Sequence, residues 1–230
     1  MRLACIMPVG PGEADRHLQR ALQSARGWAD TVIVYGDAPD DATRRLIMRY
    51  AHLARIGDQN LYETGEHLVR NELLEMADGV LQDGDLVCAL DADEEFAAPA
   101  ERVREILTAL EDDPRGSFNV HFLHLWNPDG SMHRVDGLWQ PSVGPRIYRH
   151  YQGIRLQPLY ESAWVCPPLP PRLLYERTAP VLEILHWSYA RPQDRAPKHE
   201  RYSRLPGHHP AHIDSILTEP TLAPVPGRLL

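Results

Sequence analysis

A chain of 230 residues with 43% hydrophobic and 24% charged content has the make-up of a soluble globular protein, long enough to bury most of its apolar surface in one large domain. A formal net charge of -8 argues against nucleic acid as the main partner, because phosphate-backbone binding needs a cationic face. It leaves open a phosphate-bearing small molecule, which one metal ion and a few arginines can hold.

No stretch approaches the ~20 apolar residues of a membrane span, so no integral membrane segment is expected. Met1–Met7 is too short for a signal core and is closed by Pro8 and Gly10. Cys5, Cys88 and Cys166 are odd in number and lack metal-type spacing, which points to a reduced, cytoplasmic chain.

The first half alternates strand and helix. Leu3–Met7 is an apolar run that ends in the turn cluster Pro8-Val9-Gly10-Pro11-Gly12. Leu18, Ala21, Leu22 and Ala25 recur at helical spacing, with Gly27 as the expected stop. Thr31–Tyr35 is a β-branched run closed by Gly36–Asp41, and a helix bearing Leu46, Ile47 and Tyr50 follows. Gly65–Asp78 reads as a further helix and Asp85–Leu90 as a strand. Pro99 then opens a helix with Val103, Ile106, Leu107 and Leu110 on one face. This order predicts an α/β fold with a mostly parallel sheet between helices.

The second half changes character. Ser117–Trp126, Arg146–Arg149, Ile154–Tyr160 and Val181–Leu185 read as strands, and Asn127–Val143 as a polar excursion long enough to be functional. The middle two suggest a smaller antiparallel addition. Four prolines make Val165–Arg172 an irregular crossing segment, and Arg191–Leu205 is mostly helical in promise despite Pro192 and Pro197. The expected domain is 1–205, with a nucleotide-binding half of about 1–115 and an acceptor half of about 116–205. Residues 206–230 read as a Pro-rich tail draped over the surface.

Chemistry concentrates at Leu90-Asp91-Ala92-Asp93-Glu94-Glu95, where an apolar strand ends in four carboxylates. Ligands bind at the carboxyl ends of such strands, and Asp91 and Asp93 fall on one side of an extended chain. Two converging carboxylates suit a hard divalent cation, Mg²⁺ being commonly held by one or two of them plus substrate phosphates. The bland alternative is a charged cap on the following helix. A calcium loop fails, because Phe96 stands where glycine is needed and Arg102 where the bidentate Glu belongs. An aspartyl-phosphate phosphatase would carry its aspartates on the first strand.

Asp37 and Asp41 lie on the same expected sheet edge and suit a base or ribose, while Asp40 and Asp41 also suit helix caps. Arg70 approaches that edge from a helix. His186 follows an apolar strand and suits a third metal ligand beside two carboxylates. Pro210 breaks the helix that would put two histidines of His208–His212 on one face for zinc.

Taken together, these segments resemble a family-2-type nucleotide-sugar glycosyltransferase of the GT-A fold. The likeness rests on Ile6-Met7-Pro8-Val9, the Val32–Thr43 turn, Arg70-Asn71, Leu90-Asp91-Ala92-Asp93-Glu94, Pro145–Arg149 with Leu159-Tyr160-Glu161, Leu185–Tyr189, and Lys198-His199-Glu200-Arg201-Tyr202. It spans about residues 3–205. Two departures stand out: Gly36-Asp37-Ala38-Pro39 replaces the usual Asp-Asp-Gly-Ser, and Tyr160 stands where a histidine precedes the glutamate.

The resemblance implies transfer of a sugar from a UDP- or GDP-sugar to a saccharide, lipid-linked or small-molecule acceptor. Asp93 would ligate Mn²⁺ or Mg²⁺, and Asp91 would support ribose or metal-bound water. Pro8, Asp37, Asp41 and Arg70 would line the nucleotide. Arg146 and His186 would stabilise charge on the leaving diphosphate. An inverting transfer needs a carboxylate base, for which Glu161 is the first choice and Asp136 the second. A nucleotidyltransferase is the alternative enzyme. It would normally carry a Gly-rich basic turn after the first strand, and Pro8–Glu13 has glycine but neither Lys nor Arg. A catalytically silent nucleotide-sugar binder would share the same donor residues.

Overall fold

The computed structural model describes residues 1–140, 142–157, 179–205 and 210–226. The first strands are β1 (Leu3–Val9), β2 (Thr31–Asp37), β3 (Leu53–Gly57) and β4 (Leu86–Ala89). They pair in parallel in the order β3-β2-β1-β4, so their carboxyl ends share one edge. Helices α1 (Leu18–Trp28), α2 (Asp41–Tyr50), α3 (Leu61–Thr64), α4 (Glu66–Asp78) and α5 (Ala100–Ala109) fill the crossovers and flank.

Alternation along β1 explains the layering. Leu3, Cys5, Met7 and Val9 face one core with Leu22 of α1, Ile47 of α2 and Leu107 of α5. Ala4 and Ile6 face the other, built on Val69, Leu73 and Leu74 of α4. Both sides of β1 are therefore apolar, as befits a central parallel strand. Cys5 and Cys88 lie opposite each other in the β1–β4 register as free, buried thiols.

The sheet continues through β5 (Glu94–Phe96), β6 (Ser117–His124), β8 (Val143–Arg149) and β9 (Leu182–His186), to give eight strands in the order β3-β2-β1-β4-β8-β6-β9-β5. Strand β8 runs antiparallel to both β4 and β6, and β5 runs antiparallel to β9. A small antiparallel sheet joins β7 (Met132–Arg134) to β10 (Leu222–Pro224). The expected α/β architecture, a mostly parallel sheet between helices with a smaller antiparallel addition, is thus the observed one, but the addition is β7 with β10, while Arg146–Arg149, expected to belong to it, lies in β8 of the main sheet. No helix among the described residues is long and apolar enough to cross a membrane.

The C-terminal stretch is more than a surface drape. Helix α6 (Pro192–Arg204) tolerates Pro192 at its first turn and also contains Pro197. Beyond it, α7 (Pro210–Ser215) and β10 close over the β7 region, where Ile216 and Val225 are buried. Arg134 pins this closure by donating to the Ser215 carbonyl and the Thr218 hydroxyl. Ile154–Gln157, read from sequence as the start of a strand, makes none; the rest of that expected strand and the Val165–Arg172 crossing lie outside the described residues.

Local capping joins the turns that face the open edge of the sheet. Asp40 is the N-cap of α2 and accepts from the backbone N–H groups of Ala42 and Thr43. Its other oxygen accepts from the Thr43 hydroxyl and from the N–H of Gly12, whose positive φ lets the turn after β1 fold back. Asp40→Ala is expected to destabilise the chain by about 1–2 kcal/mol, the upper range for a lost cap because the Gly12 tie goes with it. Urea unfolding checks this; an unchanged midpoint would assign the cap no weight.

Candidate functional site

A cleft of about 630 Å³ opens at the carboxyl edge of β1, β2 and β4. Its floor is the Asp91–Glu94 turn, closed by Glu94 N–H donating to the Asp91 carbonyl (3.0 Å) and Asp91 N–H donating to the Glu94 carboxylate (3.0 Å). One part of its lining is the Pro8–Pro11 turn with Glu13, Arg16 and His17, and another is Lys198, Arg201 and Tyr202 of α6. His124, His186 and Tyr189 line the far end.

Strand register places the acid–imidazole pair. In the β5–β9 ladder Glu94 lies opposite His186, and Trp187 N–H donates to the Asp93 carbonyl (2.9 Å). This brings His186 Nε2 to 3.6 Å from Asp93 Oδ1. The β6–β9 register sets His124 beside His186, with their Nδ1 atoms 2.8 Å apart and Ser142 Oγ 3.0 Å from His124 Nε2.

Charge is distributed unevenly across the turn. Asp91 accepts from Arg70 at Oδ1 (3.0 Å) and from Arg146 at Oδ2 (3.3 Å). Arg70 also holds Glu66 one helical turn earlier, and Arg146 forks onto both oxygens of Glu94 (3.0 and 2.8 Å). Burial raises the Asp91 carboxyl, but the two guanidinia outweigh it and hold the group below the usual carboxylate range. Burial likewise opposes ionisation of Asp93, yet the His186 ring, the Lys198 ammonium and a hydrogen bond from Ser188 keep it strongly acidic. Lys198 Nζ stands 3.9 Å from Asp93 Oδ2. Burial pulls His186 down to about 4 despite the nearby Asp93, so its ring is a neutral imidazole at pH 7.

Of the residues singled out from sequence, Pro8, Asp37, Asp91, Asp93, Arg146 and His186 line this one cleft, and Arg70 reaches it through Asp91. Asp37 spends its carboxylate on the N–H groups of Leu61 and Tyr62 (both 2.9 Å), which seats α3 at the cleft edge. Asp41 is an exposed first-turn residue of α2, outside the cleft lining, while Asp40 takes the cap. Asp136 pairs with Arg134 in the β7 region, also outside that lining. Glu161 lies outside the described residues. Asn71 turns away from the cleft and exchanges two hydrogen bonds with the Leu156 backbone (3.0 and 2.7 Å).

Sequence reasoning gave no role to Glu13, His17, His124 or Tyr62, which tertiary packing brings to the cleft. Lys198 and Arg201 stood in a quoted motif but also without a role; their i,i+3 spacing on a polar helix was the available signal. From the His208–His212 run, His212 packs on Trp139 with ring centroids 4.6 Å apart.

Glu13 has an unusual acidity on the cleft rim. Burial, then repulsion from Asp93, raises its carboxyl from 4.5 to about 7. The folded chain therefore keeps a proton that the unfolded chain loses above its lower value. The stability of the fold falls as pH rises from about 4.5 to 7, and the penalty is complete above that window. Glu13→Gln is expected to raise the thermal midpoint at pH 8, to leave it unchanged at pH 4, and to flatten the slope between. Parallel melting curves for the two proteins across that range would refute it.

Asp93 and His186 offer a hard oxygen and a neutral nitrogen on the same cleft wall, which fits two ligands of a divalent ion. Asp91 is committed to two guanidinia, and no group of three His, Cys, Asp or Glu residues gathers as a ligand set among the described residues. A divalent ion here would lean on substrate phosphates for its remaining ligands, a common arrangement for Mg²⁺.

No family model matches this sequence, and no curated protein matches it. Among solved structures, 4-diphosphocytidyl-2C-methyl-D-erythritol synthase superposes with a TM-score of 0.39 at 12% identity, covering 66% of this chain and 74% of the other. CMP:2-keto-3-deoxy-manno-octonic acid synthetase, solved with CTP, gives a TM-score of 0.35 at 16% identity over 65% and 72%. At such distances neither transfers an activity to this chain.

Proposed function

We propose that this chain is a transferase acting on a nucleotide-activated substrate and, within that class, a glycosyltransferase using a nucleoside-diphosphate sugar. The observation that carries the reading is the Asp91-Ala92-Asp93 turn at the tip of β4. It faces a cleft whose other walls are the β1 turn, the α3 edge and the cationic side chains of α6. A nucleoside fits the β1 and α3 side, and a diphosphate fits along the cations of α6 beside the Asp93 turn.

In glycosyl transfer the bond from the anomeric carbon to the donor phosphate breaks, and a bond from the acceptor oxygen forms. The acceptor proton passes to a carboxylate, a role proposed for Glu161 from its place in sequence. The held pair of Asp136 with Arg134 makes Asp136 the weaker choice. Negative charge grows on the leaving diphosphate, and groups already oriented toward that charge are the largest lever on rate. Lys198 and Arg201 line the cleft at that position, while Arg70 and Arg146 hold the acidic turn rigid beneath it. Mn²⁺ or Mg²⁺ bound at Asp93 and His186 would supply further charge neutralisation there.

Nucleotidyl transfer is the second reading. Arg16, Lys198 and Arg201 line one cleft, and three cations suit a triphosphate. Against it, the turn directly after β1 presents Glu13, an acid where a triphosphate would want a base. Two assays on one preparation separate the readings. Release of the matching nucleoside diphosphate, or of free sugar, from a panel of UDP-, GDP- and dTDP-sugars supports glycosyl transfer, with CMP-sugars, which would release CMP, run beside them. Pyrophosphate release from a nucleoside triphosphate and a sugar or sugar phosphate supports the second reading and overturns the first.

A further inference from the structure

We infer that Lys198 is the chain's own cation for the donor diphosphate, so that a nucleoside diphosphate binds this cleft without a divalent ion. The inference rests on the cleft being a nucleotide-sugar site and names the residue that anchors the phosphates there.

Three observations carry it. The first is the allocation of charge on the floor. Arg70 and Arg146 are consumed by Glu66, Asp91 and Glu94, which leaves Asp93 facing an ammonium rather than a guanidinium. The second is geometry. At 3.9 Å from Asp93 Oδ2, Nζ is near enough for ion pairing and too far for a hydrogen bond. An ammonium has three donors, and Tyr202 engages one of them. The Nζ group sits over the Tyr189 ring at 4.6 Å and beside the Tyr202 ring at 5.4 Å, so its position is fixed by aromatic faces that attract cations without taking its donors.

The third is the character of α6. None of its residues is buried, and polar contacts hold it: Arg191 with Asp194, and Arg195 donating to the carbonyls of Tyr189 and Trp126. Tyr202 packs against the apolar cluster of Trp126, Trp139, Tyr189 and Ile216, and on this mostly polar helix the cations and their partners supply much of the remaining hold against the cleft. Lys198 and Arg201 are the cations it turns to the cleft. An incoming diphosphate would meet Lys198 first as a point charge with unspent donors, and would relieve a lone carboxylate's weak hold on it.

Calorimetric titration of the full chain with UDP and with GDP, in EDTA and again with Mn²⁺, tests this. Wild type is expected to bind one of them in EDTA. Lys198→Met is expected to weaken that binding on the order of 10- to 100-fold, the range for a charge-assisted hydrogen bond, with Lys198→Arg restoring part of it. Added Mn²⁺ is expected to narrow the gap between wild type and Lys198→Met. Binding by wild type only when Mn²⁺ is present overturns the inference while leaving the proposed function standing. So does Lys198→Met binding as tightly as wild type in EDTA. Absence of binding of any nucleoside diphosphate under both conditions overturns the proposed function and the inference together. Should Lys198→Met not fold, the wild-type titration in EDTA alone decides.

Discussion

Asp93→Asn reduces transfer from the preferred nucleotide-sugar by on the order of 10²- to 10³-fold, the usual cost of losing one preorganised electrostatic element of an active site. The substitution keeps the side chain's shape and its bond from Ser188 but removes the charge that faces Lys198 and His186. Stability changes less than activity. In a chain of this length 1 kcal/mol shifts the melting midpoint by about 2–4 °C, and a shift of that size is expected. Donor turnover followed by nucleoside-diphosphate release, beside a melting curve, checks both halves. A variant as active as wild type would remove Asp93 from the site, and with it the main support for the glycosyl-transfer reading.

Arg146→Ala is expected to carry the largest stability cost of any single change at the site, about 3–5 kcal/mol, the cost of breaking a buried pair by deleting one partner. Arg146 is the fork on which both oxygens of Glu94 rest, and the Glu94 side chain is only 1% exposed. Burial already raises the Glu94 carboxyl with Arg146 in place. Without Arg146 it takes up a proton, and Asp91 loses one of its two guanidinia. Replacing both partners, as Arg146→Met with Glu94→Gln, recovers most of the loss, because the penalty lies in the stranded charge rather than in missing volume. Urea unfolding of the two variants and wild type measures it. Equal stability of the single and double variants would show that the pair is not coupled.

What sequence conveyed follows from which forces are local. β1, β2 and β4 are short continuous apolar runs, α1, α2, α4 and α5 carry apolar residues at helical spacing, turn residues stand at their ends, and all were legible. Strand β3 was not, because Leu53-Ala54-Arg55-Ile56-Gly57 lies at the sheet edge and is mostly half-buried, with no apolar run to announce it. Strand β5 was missed for the opposite reason. Glu94 and Glu95 are both buried, and only the fold supplies their partners, Arg146 and the Trp187 indole. The C-terminal prolines suggested a surface drape, yet Pro224 sits in the two-stranded β7–β10 ladder, where proline is tolerated at an edge.

The site divides the same way. Asp91, Asp93, Arg70, Arg146 and His186 were readable as an ordered set of short motifs, and four separate segments bring them together: α4, the turn after β4, β8 and β9. Their allegiance was not readable. That Asp91 belongs to two arginines, and Asp93 to a lysine and a histidine, depends on an antiparallel strand entering a parallel sheet. Asp37 shows the same limit: an acidic turn residue suited to a nucleoside serves instead to seat α3.

That antiparallel insertion also bears on the speed of assembly. Strand β8 joins β4 by pairing Cys88 with Ile147, partners far apart along the chain, and such contacts close slowly because a long loop must first be gathered. Until β8 docks, the carboxylates of the Asp91–Glu94 turn repel one another without Arg146 to quiet them. Dissolved salt screens exposed charges at that stage and touches the enclosed network little afterwards. The order in which the sheet is built thus makes ionic strength a control on the folding rate more than on the final stability of the protein.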